Sequence, residues 1–216
     1  MKGKGLIILL VFLFCTDVFS QENKISYSMG GGMNIPSPPG DFRKIWNKGI
    51  NLTADGYYRL NDNIGAGLQL GMYYFGFNDN YFLRERYWNQ NTIGGEIIIV
   101  TLMPYNRHSL NRERFSPYIE LGMGLFNIYR REIEITGCYD HVQGYYNYTY
   151  KSHNETRLGL RFGGGVEIIR HSKCNVLLDF IYIAGFTNKT KFLYLSPFEI
   201  EGAFSFFTSG IKLKFN

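Results

Sequence analysis

The chain has 216 residues, with 23 Lys and Arg against 18 Asp and Glu for a net charge of +5, and 17% of its residues are aromatic. That length suits one domain, and so mild a basic excess argues against nucleic acid as a partner. The 3 cysteines lack any Cys-x-x-Cys or Cys/His spacing, so a zinc site has nothing to stand on and no cofactor is expected.

Lys2 and Lys4 precede an apolar run from Leu6 to Phe14, and Val18-Phe19-Ser20 leads into the polar Gln21-Glu22-Asn23. This is a secretory signal peptide over residues 1–20, with cleavage expected between Ser20 and Gln21. Its apolar run is shorter than the roughly 20 residues a spanning helix needs. Phe14 stands before Cys15 where lipoprotein processing wants a small residue, so Cys15 reads as part of the leader. Residues 21–216 form the mature domain, and losing Lys2, Lys4 and Asp17 changes the net charge by only one.

From Ile25 onward, apolar residues alternate with polar residues or glycine, the period of a strand that is apolar on one face. Ile25 to Asn34 is the first such stretch and Ile50 to Leu60 the second, ending at Asn61-Asp62-Asn63, a tight turn. Ile64 to Phe75 is the strongest: Ile64, Ala66, Leu68, Leu70, Met72 and Tyr74 oppose Gly65, Gly67, Gln69, Gly71 and Tyr73. Gly76 to Asn91 is a long gap, and Thr92 to Met103 is the fourth stretch. Pro104 to Ser116 is polar and carries Arg107, His108, Arg112, Glu113 and Arg114, too long for a tight turn, so a longer loop or strand extensions are expected there.

In Pro117 to Asn127, Ile119, Leu121, Met123 and Leu125 oppose Glu120, Gly122, Gly124 and Phe126. After the longest gap, Ile128 to Thr156, the stretch Arg157 to Ile169 sets Leu158, Leu160, Phe162, Val166 and Ile168 against Arg157, Gly159, Arg161, Gly163, Gly165 and Glu167. Arg170 to Cys174 is a second tight turn, followed by Asn175 to Gly185, the gap Phe186 to Gly202, and Ala203 to Phe215. No proline interrupts these stretches. An even number of strands with gaps alternately long and short predicts an all-β fold, an eight-stranded antiparallel up-and-down transmembrane β-barrel. Both termini are expected on the periplasmic side and the long loops on the extracellular side. Cys138 and Cys174 then fall at opposite ends, too far apart for a disulfide.

Eight alternating strands also build soluble barrels whose apolar face points inward, so period alone leaves the choice open. The composition of the polar face favours lipid outside. A soluble exterior would be rich in Lys and Glu, whereas this face is largely glycine with scattered charges, which suits a crowded lumen. The charges expected inside are Asp55, Arg59, Glu96, Glu120, Arg161, Glu167, Asp179, Lys212 and Lys214. Charges in a low-dielectric lumen must pair or be hydrated, so a salt-bridged plug is expected rather than an open pore. Tyr27, Tyr57, Tyr58, Tyr74, Tyr118 and Tyr182 lie near strand ends and are assigned to interfacial girdles.

Three segments carry a family resemblance: Ala54-Asp55-Gly56-Tyr57-Tyr58-Arg59-Leu60-Asn61-Asp62-Asn63-Ile64-Gly65-Ala66-Gly67, Ser116-Pro117-Tyr118-Ile119-Glu120-Leu121-Gly122-Met123-Gly124, and the terminal Ile211-Lys212-Leu213-Lys214-Phe215-Asn216. With them the mature chain resembles the bacterial outer-membrane β-barrel family of eight-stranded OmpX/OmpW/OmpA-like and opacity-type proteins. The resemblance implies an integral, monomeric outer-membrane protein of a Gram-negative bacterium, in contact with outer-membrane lipid and lipopolysaccharide and inserted by the barrel assembly machinery. The usual insertion signal places the aromatic last, and here Asn216 follows Phe215. No catalytic residue comes with the resemblance.

The expected role is structural or surface-interacting. Tyr81, Phe82, Arg84, Arg86, Tyr87 and Trp88 in one loop, and Tyr139, Tyr145, Tyr146 and Tyr148 in another, form a candidate binding surface for an extracellular protein or glycan. The alternative is a lipid-modifying enzyme of the lipid A deacylase type, and a narrow channel for small solutes comes third. His108-Ser109 and His171-Ser172 fall on the expected periplasmic side, away from the outer leaflet where such enzymes work, and a His-x-Ser-Asn spacing is missing. His141 and His153, with Asp140 and Glu155, would make a metal or acid–base site only if their loop folds back, and are expected to be solvated.

Overall fold

The computed structural model describes residues 24–38, 42–79, 91–110, 115–140, 144–168, 174–186 and 204–215. Its elements are β1 (Ile25–Ser37), α1 (Phe42–Ile45), β2 (Trp46–Arg59), β3 (Ile64–Phe77), β4 (Asn91–Gly94), β5 (Ile97–Ser109), β6 (Phe115–Arg130), β7 (Ile133–Asp140), β8 (Gly144–Tyr150), β9 (His153–Ile168), β10 (Cys174–Gly185) and β11 (Phe204–Phe215). Eight of the strands close a barrel in the order β1-β11-β10-β9-β6-β5-β3-β2, and β4-β7-β8 form a separate three-stranded sheet. Each barrel strand is antiparallel to the one before it, and β1 closes on β11 from Tyr27↔Phe215 to Ser37↔Ser205. This is the expected up-and-down barrel. The cleavage position Ser20–Gln21 lies outside the described residues.

One end of the barrel holds the start of β1, the end of β11 and the β2–β3 turn. At the β2–β3 turn, the Asn61 side-chain oxygen accepts from the backbone N–H groups of Asn63 (3.0 Å) and Ile64 (2.8 Å), an Asx turn. The opposite end carries the long connections, α1 and the small sheet. Cys138, in β7, and Cys174, at the start of β10, therefore stand at opposite ends, and Cys174 is a free thiol.

The strand expected at Thr92 to Met103 is two elements. Gly94 (φ 91°) and Gly95 (φ 82°) lie in the left-handed region, which breaks the ladder, so β4 joins the small sheet and β5 starts afresh at Ile97. The barrel strand then continues through Pro104 to Ser109. Pairing of β5 with β6 passes from Leu102↔Leu125 to Tyr105↔Gly122 without a slip, and the ladder is open only around the proline, which has no N–H to donate. The polar connection thus resolves mainly as a strand extension, and Arg107 becomes part of the wall.

Inside and outside follow the alternation read above. Leu68, Leu70, Met72, Ile119, Leu121, Met123 and Leu125 face outward, with Leu70 55% and Leu121 61% exposed, while Gln69, Tyr73, Glu120 and Phe126 are buried. A belt of bare aliphatic side chains around a whole barrel far exceeds the apolar patches of a soluble monomer. In a bilayer it faces the hydrocarbon. Leu70→Arg is therefore expected to destabilise the barrel by about 2–4 kcal/mol in phospholipid vesicles, and Leu70→Phe by little, in urea titrations. Equal tolerance of both variants would contradict a lipid-facing Leu70.

The inward glycines make room for rings. A side chain at Gly67 would meet the Tyr105 hydroxyl at 2.6 Å, and one at Gly71 would meet the Tyr73 ring at 2.7 Å. Tyr57, Tyr118, Phe126 and Phe204 likewise lie over Gly65, Gly165, Gly159 and Gly185. An eight-stranded barrel is just wide enough for such a filling.

Candidate functional site: the filled lumen and its loop-end mouth

Register determines which charges meet. Arg107 of β5 and Glu120 of β6 are direct partners, Asp55 of β2 lies between Ser28 and Gln69, and Glu167 of β9 stands across from Leu177, beside Asn175 of β10. All these side chains point inward and are buried.

Glu120 is gripped from two sides. Arg107 donates to its Oε1 through Nε (2.7 Å) and Nη2 (2.5 Å), and Arg161 donates to Oε2. Arg161 also approaches Asp55 at 3.8 Å. The Lys212 ammonium bridges Asp55 (2.9 Å) and Asp179 (2.7 Å), and Asp179 accepts from the Tyr118 hydroxyl. Asp55 further accepts from Gln69 (3.0 Å) and Ser28 (3.2 Å). Nearer the turn end, Lys214 spans both Glu167 oxygens at 2.9 and 3.0 Å, and Asn175 donates to Glu167 at 2.6 Å. Rings floor the network: the Arg107 guanidinium lies 4.2 Å from the Tyr118 centroid and 5.0 Å from that of Tyr57, and Arg161 lies 4.8 Å from Tyr105.

Seven of the nine expected lumen charges, Asp55, Glu120, Arg161, Glu167, Asp179, Lys212 and Lys214, are brought together here. Arg59 and Glu96 are corrections. Arg59 has the inward parity but is the exposed last residue of β2, beyond the depth of the lumen. Glu96 follows the Gly94-Gly95 break, which resets the alternation, and lies half-buried at the loop end, 3.8 Å from Arg131. Arg107 is the lumen cation that the sequence reading assigned to a connection. With it the lumen holds Arg107, Arg161, Lys212 and Lys214 against Asp55, Glu120, Asp179 and Glu167, so its charges balance. Tyr57 and Tyr118 are also corrected: they share parity with Asp55 and Glu120 and are buried over Arg107, whereas Tyr27, Tyr58 and Tyr74 are exposed outside.

The loop-end half of the lumen is apolar. Phe206 packs 5.1 Å from both Tyr73 and Phe75, Phe126 packs 5.9 Å from Phe204, and Ile97, Ile99, Ile128, Ile181 and Ile183 complete the cluster. The α1 turn closes this half, with Phe42 5.3 Å from Phe75 and 5.7 Å from Phe204. Between the halves, a cavity of about 10 Å³ bordered by Thr53, Gln69, Tyr73, Asp179 and Thr208 has room for about one water molecule.

Of the expected loop surface, Tyr148 in β8 is 38% exposed and packs edge-on at 4.7 Å against buried Tyr150. Tyr139, Tyr145 and Tyr146 belong to the β7–β8 hairpin by backbone, with Tyr139 paired to Tyr145, and their side chains are outside the description. Tyr81, Phe82, Arg84, Arg86, Tyr87 and Trp88 lie outside the described residues, as do His141 and His171. His153 starts β9, its Nε2 3.8 Å from Glu155, and His108 is exposed on β5. Among the described residues no group of three His, Cys, Asp or Glu side chains could hold a metal ion.

The family model of the outer membrane protein beta-barrel domain matches residues 6–205. The chain belongs to this outer-membrane β-barrel family. Its place is accordingly the outer membrane. Among solved structures, Neisserial surface protein A is similar with a TM-score of 0.53 at 10% identity, covering 88% of this chain and 96% of that one. Ail, the attachment invasion locus protein of Yersinia pestis, has a TM-score of 0.46 at 16% identity, over 90% and 100% of the two chains. OprG of Pseudomonas aeruginosa has a TM-score of 0.46 at 11% identity, over 88% and 96%. No curated protein matches the sequence. What the Neisserial barrel shares with this one at such identity is the fold.

Proposed function

We propose that this family member is a monomeric barrel with an envelope-structural or surface-interaction role, which keeps its lumen shut and presents its loop end to the cell exterior. The observation that carries the reading is the doubly filled lumen, a neutral salt-bridged half beneath an apolar half. Neither half leaves a path for solutes, and a lumen so committed to packing leaves the loop end and the outer wall as the surfaces where partners can act. In this reading both termini are periplasmic, the belt meets outer-membrane lipid, and the loop end meets lipopolysaccharide and a protein or glycan ligand, with Tyr148 among the contacts.

The test combines three measurements on one protein. An epitope inserted at residue 142, between β7 and β8, is expected to be labelled on intact cells, and one after Asn216 only after permeabilisation. Purified barrel in planar bilayers is expected to give no discrete conductance steps. Overproduction is expected to leave the lipid A mass spectrum unchanged. Steps above baseline would overturn the closed lumen, and a mass shift lost on substitution of a loop-end side chain would establish the enzyme reading instead.

A further inference from the structure

Arg130, the last residue of β6, points inward at the loop-end mouth and is 2% exposed. Its Nη2 donates to the Lys151 carbonyl at 2.6 Å, while Nε and Nη1 are buried with no hydrogen-bond partner. Every other buried cation among the described residues meets a carboxylate: Arg107, Arg161, Lys212 and Lys214 do so in the lumen. The carboxylates beside Arg130 form ion pairs with other cations and none with Arg130: Glu155 through Oε2 with Arg157 at 2.6 Å and Glu96 through Oε1 with Arg131 at 3.8 Å, while Glu155 Oε1 and Glu96 Oε2 are buried without a hydrogen bond. The residue directly across from Arg130 in the ladder is His153, a second group able to present N–H to an anion, and its ring is 39% exposed, so the wall is open to solvent on that side. A buried guanidinium that lacks both a counter-charge and two hydrogen bonds is a costly arrangement, and an arriving oxyanion would supply both.

We propose that the inner wall of the mouth, formed by Arg130 of β6 and His153 of β9, is a binding site for a single tetrahedral oxyanion, a phosphate or sulfate group carried by a ligand. The planar donor array of arginine matches such oxygens, and His153 closes the site from the solvent side. The site stands on side chains at one end of the barrel and does not depend on which way that end faces the cell.

The probes are inorganic phosphate and sulfate, titrated against chloride at matched ionic strength into barrel held in zwitterionic detergent, with backbone amide shifts of residues 128–131 and 151–154 as readout. A saturable shift is expected in the native chain, weakened at least tenfold in Arg130→Met and less in Arg130→Lys, and unchanged in Arg59→Met at the other end. If Arg130→Met fails to fold, the Lys variant and His153→Phe carry the comparison. A parallel series in vesicles with and without phosphatidic acid separates the sources. Saturation by lipid phosphate means a headgroup occupies the site, and response to free phosphate alone means a soluble or polymer-borne group. No saturable shift in the native chain, or an equal shift in Arg130→Met, overturns the proposal.

Discussion

Glu120→Ala is expected to cost the folded barrel about 3–5 kcal/mol, because it strands two buried guanidinium groups at once. Arg107 and Arg161 are both nearly inaccessible and converge on the two oxygens of this one carboxylate. Arg161 keeps a 3.8 Å approach to Asp55, which is already committed to Lys212, Gln69 and Ser28, and the Tyr105 ring at 4.8 Å. Arg107 keeps its rings, at 4.2, 5.0 and 5.8 Å. The measurement is reversible urea unfolding in phospholipid vesicles, followed by tryptophan fluorescence and by gel migration of unheated samples. Removing both the carboxylate and its partners separates a stranded charge from a lost contact: Arg107→Met, Glu120→Met and Arg161→Met together are expected to cost less than Glu120→Ala alone, since an apolar filling of similar volume replaces an ion cluster at little net cost. A triple variant less stable than the single would mean that the ions, rather than the packing they fill, hold the strands in register.

What the sequence made legible was face, and what it left hidden was depth and continuity. Period two assigned Asp55, Glu120, Arg161 and Lys212 to one side of the wall: Glu120 and Lys212 are flanked by aliphatics on both neighbours, Arg161 by Leu160 and Phe162, and Asp55 follows the alternation of its strand. The same parity applies to Arg59, yet a strand's period carries no information about where the lumen ends, and Arg59 lies past it. Arg107 was hidden by Pro104: taking the proline as a strand end stopped the alternation at Met103, although the inward series Ile97, Ile99, Thr101, Met103 runs on through Tyr105 to Arg107. Glu96 was misplaced for the opposite reason, since alternation was carried across two glycines whose positive φ resets it. The apolar half had a signal in Tyr73 and Phe126, which sit on the glycine and charge face of their strands. Its closure by Phe42 could not be read, because a four-residue helix in a long loop has no period to detect.

Phe42→Ala is the second large effect, about 3–5 kcal/mol, and its consequences should be confined to one end. Four helical residues cannot sustain themselves, so α1 exists by virtue of what it packs on. Phe42 is 1% exposed and lies 5.0 Å from Trp46, 5.3 Å from Phe75, 5.7 Å from Phe204 and 6.5 Å from Phe206. Its polar ties include the Trp46 indole to the Gly95 carbonyl at 3.1 Å, the Asn78 side chain to the Lys44 carbonyl at 2.9 Å, and the Asn78 backbone N–H to the Ile45 carbonyl at 2.8 Å. Truncating the ring leaves a void among four aromatics and removes the main reason for the turn to stay seated. Hydrogen exchange at residues 44–47 and 78 is expected to rise in Phe42→Ala while the amides of β9 and β10 around Glu167 and Asp179 keep their protection. Glu120→Ala should show the reverse, losing protection around the charged half first. Conductance in planar bilayers discriminates further: Phe42→Ala alone should stay silent because the salt-bridged half still blocks the bore, and only combination with Glu120→Ala should give transient openings. Steady openings from Phe42→Ala alone would mean that the apolar half is the seal and the charged network is permeable to water and ions beneath it.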